Sequence, residues 1–232
     1  MSDSAAVILA ANCKGGCGKS TTILILAGEY AAQGYRVHVI DADPKKRLVK
    51  WAATKVKPEA VTVSEANSAT MRGEIEKARA CADVVLVDVE GTANAALTLA
   101  VAYATLVIVP ATLSPPDVED GLATVQLIRD MADASRRTIP HGFLWSNVPP
   151  AIRSREMVNL EGQVAAASVP VIGRVFQRTA FSSMFSFDTT LDQLPPSEVS
   201  GIEKAKGDAI RLTDAIELMM NPRATDTAEA AA

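Results

Sequence analysis

A chain of 232 residues exceeds the usual single-domain length, although parallel α/β sheets reach this size undivided. Hydrophobic residues make up 48% and aromatic residues only 4%, the balance of an α/β protein with an Ala/Val/Leu core. A net charge of −4 excludes a uniformly basic nucleic-acid binder, and the three cysteines, Cys13, Cys17 and Cys81, indicate no disulfide framework and fit a reducing cytoplasm.

The start, Met1-Ser2-Asp3-Ser4, lacks the basic residues of a secretory signal. No segment holds the ~18 uninterrupted apolar residues of a spanning helix, so a soluble cytoplasmic protein without a membrane partner is expected. A first strand is predicted over 6–11, and Lys14-Gly15-Gly16-Cys17-Gly18-Lys19-Ser20-Thr21-Thr22 follows it. Strand, glycine-rich turn, then Lys-Ser opening a helix is the layout of a phosphate-binding loop. Successive backbone N–H groups must face phosphate oxygens, so side chains would obstruct and glycines serve. Lys19 would neutralise the β- and γ-phosphates, and the Ser20 hydroxyl would take one Mg²⁺ position. Cys13 stands where the ordinary motif has glycine, and Lys14 stands at the loop entrance. Cys13 and Cys17 lie four apart, which admits a metal reading, but with no third ligand nearby they are assigned to loop packing.

Further strands are predicted over 36–40, 61–64, 84–89, 106–109, 142–146 and 171–175, several of them continuous Val/Ile/Leu runs. The second ends in Asp41-Ala42-Asp43-Pro44. These carboxylates serve Mg²⁺ and the attacking water, or else Asp43-Pro44 simply caps the next helix. The fourth runs Val84-Val85-Leu86-Val87 into Asp88, which would hold Mg²⁺ through water, with Gly91 placed to offer its N–H to a γ-phosphate. Ser114 with Asp117 reads as a capping box, Pro115 opens the helix, and Val118, Leu122 and Val125 repeat at helical spacing. Met157, Leu160 and Val164 form a later stripe, as do Ile202, Ala205, Ala209, Leu212, Ile216 and Met219. Strand–helix alternation predicts a doubly wound three-layer α/β/α fold with a mostly parallel sheet, ligands lying at the strand carboxyl ends. One domain is expected over 1–220, with a flexible tail over 221–232.

The form KGGxGK[ST] is the deviant P-loop, and the chain resembles the ParA/MinD group of ATPases over about 7–220, most nearly the short ParA plasmid-partition ATPases. The resemblance implies ATP and Mg²⁺ as cofactors and weak, partner-stimulated hydrolysis. It implies that Lys14 reaches the nucleotide of a facing subunit, so that Lys14, Lys19 and Asp43 are catalytic. Asp43 would orient the hydrolytic water, and Asp41 would lie nearer the metal with Ser20 and Asp88. Gly15, Gly16, Cys17, Gly18, Lys19, Ser20, Thr21 and Gly91 would hold the phosphates. Asn147, closing Trp145-Ser146-Asn147, would bind the adenine, with Phe176-Gln177-Arg178 nearby. Glu90 departs from the common pattern and receives no role.

Partners implied by the resemblance are a second subunit with ATP, nonspecific DNA on the nucleoid, and a centromere-binding ParB-like protein. Arg153, Arg155, Arg174, Arg178, Lys204, Lys206 and Arg211 are candidates for the DNA surface, or ordinary solvated charges. A different function in the same fold is a DNA-site-binding accessory ATPase for conjugative or T-DNA transfer, as on Ti plasmids. It shares the Leu-Ser-Pro-x-Asp-Val run at Leu113 to Val118. Positioning of another intracellular cargo, or a small-molecule synthetase, also remains open. The stretch after Met220 has one Arg and no large apolar residue, which disfavours MinD-like membrane cycling. Cys81 precedes the fourth strand, which disfavours a nitrogenase-iron-protein-like redox role.

Overall fold

The computed structural model describes residues 5–54, 56–91, 95–150 and 154–221. All seven predicted strands form: β1 (Ala6–Ala10), β2 (Val37–Ala42), β3 (Val61–Glu65), β4 (Val84–Val89), β5 (Leu106–Ala111), β6 (His141–Val148) and β7 (Val171–Phe176). They pair in parallel in the order β3-β2-β4-β1-β5-β6-β7. Parallel neighbours require crossovers, and helices supply them. These are α1 (Lys19–Ala32), α2 (Arg47–Ala52), α3 (Met71–Cys81), α4 (Ala95–Tyr103), α5 (Pro115–Ser135) and α6 (Arg155–Ala166), followed by α7 (Thr179–Ser186) and α8 (Ile202–Met220).

Continuous apolar strands arise because the sheet is buried on both sides. Ile8 and Ala10 of β1 join one core with Leu48, Phe181 and Leu212 of α2, α7 and α8. Val7 and Leu9 face the opposite core with Ile75, Leu97, Val125 and Leu160 of α3, α4, α5 and α6. The result is the expected three-layer α/β/α arrangement. The helical stripes behave as their spacing predicts: Met157, Leu160 and Val164 are buried on α6, and Ile202, Ala205, Ala209, Leu212 and Ile216 on α8. No helix among the described residues is long and apolar enough to cross a membrane. Of the predicted tail, only Asn221 falls within the described residues.

Two features set up the site. β1 lies between β4 and β5, so the chain order reverses around it and opens a crevice at the strand carboxyl ends. β2 also runs past its predicted end at Ile40 to Ala42, which pairs Asp41 with Asp88 of β4. A hydropathy reading stops at an aspartate. The strand continues because the buried Asp41 carboxylate is satisfied by backbone amides.

Candidate functional site

The turn between β1 and α1 brings Gly16 to φ 87° and Gly18 to φ 96°, conformations that strain any side chain. At Gly18 a Cβ would also come within 3.0 Å of Ser146 at the end of β6. Ser146 Oγ donates to the Cys17 carbonyl at 2.6 Å, so the sheet fixes the loop from beneath. Lys19, only 6% exposed, arches back over the turn and donates to the carbonyls of Lys14 at 2.6 Å and Asn12 at 3.1 Å. Cys17 is fully buried with its Sγ 3.7 Å from Lys19 Nζ, and burial pushes its thiol up, which keeps it neutral. Cys13 takes the place of a glycine by giving its N–H to Thr124 Oγ1 of α5 at 3.1 Å, with its side chain against the core. Both cysteines are therefore packing residues here.

Beneath the start of α1, Ser20 Oγ donates to Asp88 Oδ2 at 2.6 Å. The other oxygen, Asp88 Oδ1, is buried without a hydrogen-bond partner among the described residues. A buried carboxylate oxygen left over beside a serine hydroxyl suits a hard cation with oxygen ligands, so these residues fit Mg²⁺. Asp41 and Asp43 divide differently from the sequence expectation. Asp41 Oδ1 accepts from the N–H of Asp43, and Oδ2 accepts from those of Leu48 and Val49. Asp41 thus ties down α2 and the Asp43 loop, and the capping alternative applies to it rather than to Asp43. Asp43 is half-buried; among the described residues its carboxylate accepts from Lys45 N–H, at 2.8 Å and through Oδ1, which leaves Oδ2 for other work.

Burial pushes the Asp88 carboxyl up to about 7, against the pull of the Ser20 hydroxyl, and nearby Asp41 adds to the rise. Unfolded, this carboxyl loses its proton near 3.8, so between there and about pH 7 the folded chain binds more protons than the unfolded one. Asp88 therefore contributes a loss of stability as pH rises across that window. With EDTA, thermal melts should fall from pH 5 to pH 8, and Mg²⁺ should restore the loss. Asp88→Asn should flatten the profile, and an unchanged slope in that variant would remove Asp88 as its source.

At the loop entrance, Lys14 Nζ lies 2.6 Å from Asp117 Oδ1 in the first turn of α5. Burial pushes Asp117 up, but bonds from Lys14, Thr112 and Ser114 leave its carboxyl below the usual range. The predicted cap is present, since Ser114 Oγ accepts from Asp117 N–H, but the Asp117 side chain turns to Lys14 and Thr112. Gly91 at the end of β4 touches the same place. A Cβ there would fall 2.5 Å from the Lys14 carbonyl carbon, so only glycine allows this approach.

On the other side of the loop, Gly16, Gly18 and Thr21 border a cleft of about 550 Å³. Its far wall holds Asn147, Phe176, Gln177 and Arg178, so the base-side candidates gather beside the phosphate loop. Asn147 occupies an irregularity in the β6–β7 pairing at φ 51°, which exposes it toward the cleft. Arg178 is held by the buried Asp208 and lies 5.6 Å above the Phe176 ring. The basic candidates for DNA do not form one free patch. Arg174 pairs with Glu161, Arg178 and Arg211 share Asp208, and Lys206 pairs with Asp192 and Glu203. Arg155 and Lys204 stand exposed, and Arg153 lies outside the described residues.

Sequence reading missed Asn12, Thr124 and Ser146 and the contact role of Asp117. Thr124, Ser146 and Asp117 each bond a loop residue more than a hundred positions away, whereas Asn12 stands just before the motif and ties the loop to Pro110 and Asp117.

A parallel sheet whose central strand runs into a glycine-rich loop, with Lys19 over the loop and Ser20 on Asp88, defines a P-loop NTPase. Residues 5–192 match the family model described as VirC1 protein, and the chain belongs to that family. A relative named Protein ParA from Rhizobium radiobacter is 32% identical over 219 residues, covering 90% of this chain and 99% of that protein. The fold is similar to that of an McdA–ATP complex from Cyanothece, with a TM-score of 0.72 and 13% identity over 92% of this chain and 96% of that one. It is also similar to MinD complexed with Mg-ADP from Pyrococcus horikoshii OT3, with a TM-score of 0.69 and 14% identity over 91% and 96% of the two chains.

Proposed function

We propose that this protein is an ATP-dependent, dimerising partition ATPase of the cytoplasm. In the ATP state it binds nucleoid DNA without sequence preference and segregates plasmid or chromosome cargo. A centromere-binding ParB-like partner stimulates its weak hydrolysis. The observation that carries this reading is Lys14: its ammonium lies on Asp117 of α5 at the loop entrance and stays partly exposed. A lysine placed so serves a facing subunit better than its own nucleotide. The likeness to Protein ParA along almost its whole length supports the same reading.

In this proposal the N–H groups of Gly15, Gly16, Cys17, Gly18, Lys19, Ser20 and Thr21 cradle the phosphates, and Lys19 neutralises them. Ser20 and Asp88 hold Mg²⁺, which shields charge on the β- and γ-oxygens. Asp43 orients the attacking water, Gly91 offers its N–H to the γ-phosphate, and Asn147 binds the base. Asp41 supports Asp43 through its backbone. Lys14→Ala should keep ATP binding by the single subunit while losing ATP-dependent pairing and retention on random DNA, read by light scattering and by a DNA column. Normal pairing by this variant would make Lys14 a bystander and remove the reading's main residue-level support.

A second reading, a DNA-site-binding accessory ATPase for conjugative or T-DNA transfer, is favoured by the VirC1 family match. Footprinting on candidate-site and random DNA at two salt concentrations separates the two: protection of one sequence that survives higher salt supports the accessory role, and uniform salt-sensitive protection supports partition.

A further inference from the structure

The charge and the backbone of Lys14 are held by different groups: Asp117 of α5 takes the ammonium, while Asn12, Cys17 and Lys19 around the loop hold the peptide. The Lys14 ammonium sits on Asp117 Oδ1, with side-chain exposures of 35% and 7%. Asp117 Oδ2 accepts from Thr112 Oγ1 at 2.6 Å and from Thr112 N–H, so the carboxylate cannot swing freely. The Lys14 N–H donates to Asn12 Oδ1, and Asn12 Nδ2 donates to the carbonyls of Pro110 and Asp117. The preceding Cys13 N–H goes to Thr124 Oγ1, about two turns further along the same face of α5. Gly91 closes the third side against the Lys14 carbonyl. An ammonium has three N–H donors, but one held 2.6 Å from a mostly buried carboxylate of its own chain has its reach fixed by that contact, so extending to a group on another subunit means leaving Asp117.

We propose that Asp117 is a positioning residue that parks Lys14 within its own subunit, and that ATP-dependent pairing requires the transfer of Lys14 from Asp117 to the facing subunit. This rests on the dimer reading above. The parked form lowers apparent pairing affinity by the fraction of subunits whose lysine is free. Because Gly91 rests on the Lys14 peptide, any movement of the β4 end is passed to the parked residue by direct contact. Asp117 therefore sets the ATP requirement for pairing and leaves nucleotide binding by one subunit alone.

Asp117→Asn tests this with little change of shape, since the amide oxygen can still accept from Thr112. Three chains are compared by light scattering across an ATP titration, all in an Asp43→Ala background: parent, Asp117→Asn and Asp117→Glu. A fluorescent ATP analogue at protein concentrations below pairing gives the single-subunit affinity, and thermal melts confirm folding. The expected result is a pairing midpoint about three- to fivefold lower in Asp117→Asn, the range for a half-exposed ion pair. Single-subunit affinity should stay unchanged, and Asp117→Glu should return toward the parent. An unchanged or raised midpoint in Asp117→Asn, with the parent pairing normally, overturns the parking role alone. A parent that never pairs with ATP overturns the dimer reading and this proposal with it.

Discussion

Lys19→Ala should reduce ATP affinity by at least about two orders of magnitude, since a buried cation at a phosphate site contributes several kcal/mol. The position explains the size. Lys19 is nearly covered, and its ammonium is held over the loop by the carbonyls of Asn12 and Lys14, which keeps the positive charge at the centre of the turn. Alanine removes that charge and also strips two carbonyls of a donor, at a cost of about 1–3 kcal/mol for each group left unsatisfied. Titration with a fluorescent ATP analogue measures the loss, and Lys19→Met, which keeps the apolar stem, separates charge from packing. Unchanged affinity in a folded variant would end the P-loop assignment.

Asp43→Ala should bind ATP and Mg²⁺ almost normally while hydrolysis falls by about two orders of magnitude or more. Orienting a water matters to the transition state and little to the bound ground state. The structure limits collateral damage, because Asp43 gives up only one local bond, from Lys45 N–H, whereas the fold of this segment hangs on Asp41. Asp41→Ala should behave oppositely, loosening α2 before it touches chemistry. Rates of phosphate release beside nucleotide affinity decide the matter. If Asp43→Ala fails to bind nucleotide, the two aspartates must exchange roles.

The fold was legible in the sequence because a doubly covered parallel strand is an unbroken apolar run, and the phosphate loop was legible because its glycines are contiguous. Ser20 and Asp88 could be joined by motif spacing alone. Asp41 could not be assigned, since carboxylates two positions apart fall on the same side of an extended strand and look equivalent until the end of the strand is known. Pairing with Asp88 places Asp41 inside the sheet, beside the amides it satisfies. Asp117 looked like a simple cap because its true partner, Lys14, lies near the other end of the motif map. Net charge likewise says nothing about pairing. Arg174, Arg178, Lys206 and Arg211 looked available until Glu161, Asp192, Glu203 and Asp208 were found against them.

That neutralisation bears on how such a protein would hold DNA. Binding to a duplex draws much of its free energy from counterions released as cationic side chains replace them at phosphates. An arginine already matched by a carboxylate displaces few. On the DNA-binding reading, these four side chains therefore add little to the grip of one subunit. Retention then gains from subunits seated side by side, each adding a small increment at high local concentration. Such a coat is steep in protein concentration and dissolves quickly once its members begin to leave.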